Sequence, residues 1–479
     1  MRVGGRAAAV AGVLALAAAT ALAVPRPATS GLAAADSPAG TALAGVVLRP
    51  GVIEVGRAHG AKSGPLTTAA CEQQYKIACY APAQVRDAYH LAPLYAKGVT
   101  GQGATIVIVD SYGSPTIRND LGVFDRAYHL PAPPQLQIIQ PAGKVPSYDP
   151  ADSDMVGWAS ETTLDVEWAH VIAPGAKLLL VETPVSETEG VHGFPQIVAA
   201  EQYVLKHHLG DVISQSFGAT EATFPSGKAL QALRSAYQLA DKDRVTVLAA
   251  SGDSGAANLG SDQATYYTFP VTSWPDSDPL VTGVGGTQLH FTAKGAPAAP
   301  TVWNDTYRPA ANELTEGDAG PNPLASGGGL SMFFTRPSYQ NAVASVVSGK
   351  RGVPDVSMSA SCSGSVDTYG TYGGAPAGWT PTCGTSEATP LFAGIVALAD
   401  QVAGHSLGLI NPALYQLAAQ HAAGIVPVKS GNNTVSFTQG GRKQTVTGYP
   451  ARAGYNLATG VGTIDAQYFV PELARLGQR

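Results

Sequence analysis

Three short segments of this 479-residue chain carry side chains that could do chemistry together. In Ala159–Ala173, ASETTLDVEWAHVIA, Glu161 and Asp165 stand four residues apart, a spacing that puts both carboxyls on one face of a helix. Left in water, such a pair is an ordinary acidic face. Buried together, the two raise at least one pKa and make a base that works in acid. In Cys383–Gly394, CGTSEATPLFAG, Ser386 enters a helix of small and apolar residues. A serine there is commonly a cap, but the local N–H groups and the positive helix end also suit a nucleophile and its oxyanion. In Arg244–Gly255 an apolar run ends in Ser251-Gly252-Asp253-Ser254-Gly255. That puts Asp253 at the carboxyl end of a sheet, where open α/β folds bind ligands. A turn aspartate bonding its own backbone is the plainer alternative.

These side chains need a scaffold, and the apolar runs supply one. Ala104–Asp110, Lys177–Glu182, Asp211–Ser216, Arg244–Ala250, Leu280–Val284 and Val353–Met358 are short, β-branched and hydrophobic on both faces. Such runs suit parallel strands covered on both sides. Helices are predicted at 159–172, with Ser160 as cap and Pro174-Gly175 as stop, and at 194–208, 227–241 and 386–403. The alternation predicts an α/β fold around one mostly parallel sheet. Residues 288–330 and 430–450 read as loop-rich or β-rich insertions.

Composition narrows the class. Apolar residues make up 45% and charged ones 13%, with 35 Asp+Glu against 29 Lys+Arg and a net charge of −6. That balance argues against nucleic acid as a partner. Arg2 and Arg6, the apolar run Ala7–Val24 and Ala21-Leu22-Ala23 predict a secretory signal over 1–23. Residues 24–78 read as a short, disordered leader before a catalytic domain over 79–479. A secreted monomer with no membrane contact after cleavage is the expectation. Four cysteines then imply two disulfides, with local pairing Cys71–Cys79 and Cys362–Cys383 favoured because short loops close at least entropic cost. No HExxH or clustered histidine supports a metallopeptidase.

Taken together, the segments resemble the sedolisin family, the serine-carboxyl peptidases with a subtilisin-like fold. The likeness runs over about 80–465 and includes YGSPTIRNDL at 112–121, APGAK at 173–177, SQSFG at 214–218, VGGT at 284–287, SGGGLSMFFTRPSYQ at 326–340, RGVPDVS at 351–357 and GTSEATP at 384–390. The resemblance implies Ser386 as nucleophile, Glu161 as its base, Asp165 as the carboxyl orienting that base, and Asp253 as a protonated acid donating to the oxyanion. It also implies a substrate wall at Ser214, Gln215, Ser216 and Gly218, with Gly327 and Gly328 allowing close approach of substrate backbone. The expected activity is hydrolysis of protein or peptide substrates in acid, by an endopeptidase. A tripeptidyl-type exopeptidase and a non-catalytic peptide-binding relative are the alternatives. An ordinary Asp–His–Ser subtilisin, with Asp110 after its strand, lacks a suitably placed histidine.

Two departures from the family pattern stand out. Family members bind calcium near the C-terminus through two aspartates, where this chain has Pro427 and Asn456, with Arg452 in place of a small residue. No metal is therefore expected, since calcium favours anionic oxygens. The family's long folded propeptide is also reduced to about 50 residues between the expected signal cleavage and the catalytic region.

Overall fold

Val107 and Val109 face one hydrophobic cluster, while Ile106 and Ile108 on the same strand face another. Leu179 and Val181 against Leu178 and Leu180 repeat the division. Period-two alternation with both faces apolar means a sheet covered on both sides. The computed structural model describes residues 49–50, 53–55, 59–60, 64–185, 193–308 and 322–477. Its central sheet has eight strands. Seven run in the order Pro297–Val302, Thr282–Phe291, Thr246–Ala250, Val212–Gln215, Thr105–Ser111, Lys177–Thr183, Leu136–Ile139, and Val356–Ser359 pairs beside Thr282–Phe291. All neighbours are parallel except the Thr282–Phe291/Pro297–Val302 pair. This is the subtilisin-like α/β arrangement expected.

Parallel neighbours need crossovers, and helices provide them. Gly193–Lys206 and Ser235–Asp243 cover the face of Val107. Two longer helices lie on the other face: Ser153–Ile172, here called the acid helix, and Thr385–Ala403, the serine helix. They pack directly on one another. A β-carbon added at Gly394 would lie 2.5 Å from Ile172 Cβ and 3.3 Å from Ala169 O. The glycine is thus what lets the helices close to this distance.

Several expected bounds move for local reasons. The acid helix begins at Ser153, because Asp152 accepts from Asp154 N and Met155 N. Ser160 is not its cap but lies within it. The expected helix over 227–241 is two pieces, Gly227–Gln231 and Ser235–Asp243. The expected strand Val353–Met358 is divided by Pro354, which has no N–H to give a ladder, into Lys350–Val353 and Val356–Ser359. Residues 1–48, which hold the expected signal and the start of the leader, lie outside the described residues.

The described part of the leader, expected to be disordered, is ordered instead. Thr68–Tyr75 is a helix capped by Thr67, held by the Cys71–Cys79 disulfide and by buried Tyr75 and Ile77. Upstream, Arg49–Pro50 pairs antiparallel with Phe217–Thr220, and Ile53–Glu54 pairs antiparallel with Gly378–Cys383. The second disulfide joins Cys362 to Cys383, as local pairing predicted. Just after it Gly384 takes φ 118°, a conformation a side chain would strain, and opens the serine helix.

Gly394→Val should cost roughly 1–3 kcal/mol or more by overpacking the helix contact. A thermal melt that matched the unsubstituted protein would show that the contact is not tight.

Candidate functional site

The two long helices bring three of the four expected catalytic residues together, and the turn after Thr246–Ala250 brings the fourth. Ser386 sits in the first turn of the serine helix. Its Oγ donates to Ser216 O at 3.3 Å, and Ser216 Oγ donates to Asp165 Oδ1 at 2.8 Å. Ser216 therefore links the nucleophile position to the acid helix. Glu161, one helical turn before Asp165, is fully buried, as is Asp165.

Burial sets the electrostatics. The Asp165 carboxyl is held well above the usual range, first by loss of water, then by the neighbouring Glu161 and Asp110 charges; the Ser216 hydroxyl opposes the shift. Asp110, at the carboxyl end of Thr105–Ser111, is raised to about 7 by burial, opposed by Thr162 and helped by Glu182. Three carboxyls in one dry region cannot all ionise cheaply. The paired-carboxyl reading of Glu161 and Asp165 thus describes the site better than a solvated face.

Asp253 reaches the start of the serine helix from the turn after Thr246–Ala250. Its Oδ1 accepts from Thr385 N and Thr385 Oγ1, both at 2.7 Å. Its Oδ2 is buried without a hydrogen-bond partner. The residue is partly exposed at the cleft, yet desolvation raises its carboxyl to about 7, against the Thr385 hydrogen bonds. A turn aspartate bonding only its own loop would not reach across to the residue before Ser386. Thr385 was missed in the sequence, where GTSEATP drew attention only to the serine.

A cavity of ≈ 200 Å³ opens beside these groups, lined among others by Ser216, Gly218, Asp253, Thr385 and Ile53. Ser216 and Gly218 thus border this cavity. Ser214 is buried in its strand and does not line the cavity. Gly327 and Gly328 do not line it either. A β-carbon at Gly327 would meet Ser251 O at 2.0 Å, and one at Gly328 would meet Leu457 O at 2.2 Å. Their smallness serves the packing that supports the Asp253 turn, with Gly327 N donating to Gly252 O.

With this geometry in place, likeness to known proteins is decisive. Residues 153–441 match the Subtilase family. The chain belongs to the subtilase family. Within it, the relatives are sedolisins. Kumamolisin of Bacillus sp. (strain MN-32) is 31% identical over 392 residues, 80% of this chain and 62% of its own. Sedolisin of Pseudomonas sp. (strain 101) is 30% identical over 76% of this chain and 57% of its own. Tripeptidyl-peptidase 1 of Homo sapiens is 30% identical over 63% of this chain and 50% of its own. The chain thus spans under two thirds of the length of each of these relatives. The solved structure of Pseudomonas sedolisin (serine-carboxyl proteinase), complexed with two molecules of pseudo-iodotyrostatin, superposes with TM-score 0.69 at 26% identity. It covers 84% of this chain and 99% of that one. This subtilase is a sedolisin-type member.

The residues at the expected family calcium position are otherwise engaged. Asn456 Oδ1 accepts from Ala458 N, Thr459 N and Thr459 Oγ1, so it is consumed in its own turn. Pro427 and Arg452 border a hollow of ≈ 550 Å³ whose lining contains no Asp or Glu. Without anionic oxygens these residues do not fit calcium. Among the described residues the one cluster of metal-type ligands is Cys71, Cys79 and Asp367, and its sulfurs are joined in a disulfide.

The raised carboxyls fix the sign of the pH dependence of stability. A group whose folded pKa lies above its unfolded value binds more protons in the fold, so stability falls as pH rises. For Asp253 and Asp110 the contribution is complete below about 4, the ordinary aspartate value, and is lost as pH climbs towards about 7. The Tm should therefore be higher at mildly acidic than at mildly alkaline pH. A maximum above neutrality would contradict this.

Proposed function

We propose that this protein is an exported serine-carboxyl endopeptidase acting in acid. The observation that carries the reading is the Asp253 carboxyl: one oxygen is committed to Thr385, and the other is buried, unpartnered and next to the nucleophile's helix. Such a group is well suited to hold a proton and donate it to an oxyanion. Ser386 Oγ attacks the peptide carbonyl, Glu161 takes up its proton, and Asp165 orients Glu161. The neutral Asp253 and backbone N–H groups at the start of the serine helix stabilise the oxyanion. Glu161 later returns the proton to the leaving amine, and water hydrolyses the acyl-enzyme by the same relay.

Endo- rather than tripeptidyl cleavage is favoured by the leader. Arg49–Pro50 and Ile53–Glu54 pair with separate strands, one following Ser216 and one leading into Ser386. A cleft that accepts chain along both walls suits internal bonds. Export fits the two disulfides, and among the described residues no helix is long and apolar enough to cross a membrane. A non-catalytic role is disfavoured because all four chemical groups are in place.

Four outcomes are expected. Ser386→Ala should abolish hydrolysis of acid-denatured protein, and Asp253→Ala should lower kcat by about 10²–10³-fold, the usual loss for an oxyanion donor. In the unsubstituted enzyme kcat/KM should fall as pH rises through about 7, where Asp253 ionises and stops donating; activity that peaked above that value would sink the mechanism. Because Pro427, Arg452 and Asn456 do not fit calcium, chelator should leave Tm unchanged. A drop restored by added calcium would refute that part.

A further inference from the structure

The leader shows how an extended chain sits in this cleft, and one of its side chains lands in a niche that the catalytic groups do not use. Ile53–Glu54 adds antiparallel to Gly378–Cys383, with Ile53 opposite Cys383 and Glu54 opposite Thr382. Val55 N donates to Pro381 O at 2.7 Å and continues the pairing. In strand addition the backbone supplies a general hold, and successive side chains enter different pockets. Ile53 borders the catalytic cavity. Glu54 goes elsewhere: its Oε1 accepts from Ser160 Oγ at 2.7 Å and from Tyr372 Oη at 3.3 Å.

We infer that Ser160 and Tyr372 form a side-chain subsite selecting glutamate or glutamine in the substrate residue opposite Thr382. The inference rests on the peptidase reading and adds a specificity to it. The polar contacts made to Glu54 in the niche are both from hydroxyls, and a hydroxyl donates equally to a carboxylate, a carboxylic acid or an amide oxygen. Either residue therefore satisfies it, and glutamate does so even when protonated. An apolar side chain there removes the acceptor that the Ser160 and Tyr372 hydroxyls both use, which carries a penalty. The length of the side chain matters as well, because the backbone register holds the residue opposite Thr382.

Position also explains Ser160. It lies beside Glu161 on the acid helix, in mid-helix, and its hydroxyl points to the leader rather than capping its own backbone. Tyr372 lies beyond the strand Gly364–Gly370, whose partner is the same Gly378–Cys383 that receives the leader. The subsite is thus assembled from the acid helix and the loop joining these two strands.

The test uses the full chain and internally quenched peptides of sequence Arg-Pro-Gly-Val-Ile-X-Val-Gly-Arg-Ala, with X as Glu, Gln or Leu. The ratio of kcat/KM to that of the Leu peptide should be about tenfold for both Glu and Gln. It should collapse towards one in Ser160→Ala and in Tyr372→Phe. A ratio is insensitive to overall loss of activity and to the leader competing for the cleft. Equal turnover of the three peptides, or a ratio unchanged in both variants, would overturn the subsite. Were no peptide cut, the peptidase reading would fail, and fluorescently labelled peptides of the same series would still decide the subsite through their relative Kd: tighter Glu and Gln binding supports it, and equal binding overturns it.

Discussion

Removing carboxyl groups from water is the constraint on which the rest of this structure depends. Asp110, Glu161 and Asp165 are fully buried in one region between the sheet and the acid helix. Together they cannot hold three negative charges without large cost, because burial and mutual repulsion act in the same direction. The fold therefore favours protonation there, which suits the acid chemistry proposed above. Asp253, shielded separately against Thr385, obeys the same rule through desolvation alone.

That burial is achieved by helix packing. The serine helix can bring Ser386 to the acid helix because Gly394 leaves room for Ile172 and the carbonyl of Ala169. Its start is fixed by Gly384 and by the disulfide that secures Cys383 to Cys362. Ser216 then bridges the nucleophile position and Asp165 with its backbone carbonyl and its hydroxyl. Site geometry and core packing are consequently the same set of contacts, and a change in one disturbs the other.

Much of the scaffold was legible in the sequence, since runs such as ATIVIVD and KLLLVE are apolar on both faces and admit few alternatives. The candidate site residues were legible as types, and a family resemblance supplied the roles proposed for them. Less visible was anything that depends on long-range approach. Ser160 looked like a cap because Asp152, the true one, lies well upstream of the acidic pair. Pro354 divides an apolar run that reads as continuous, since the ladder bond it lacks leaves no mark on hydropathy. Gly327 and Gly328 resemble a substrate-approach loop but serve to let two backbones touch. Thr385, Tyr372 and the pairing of the leader depend on partners more than 130 residues distant, where no local pattern reaches.

The proposed chemistry turns on the protonation state of Asp253 at the start of the serine helix. It is read most directly by a ¹³C NMR titration of the side-chain carboxyl carbons, with the Asp253 resonance assigned through its disappearance in Asp253→Asn. A midpoint near 7, matching a carboxyl raised by burial to about that value, is the result expected. A midpoint at the ordinary aspartate value of about 4 would contradict the account, because the group would then be ionised throughout the working range.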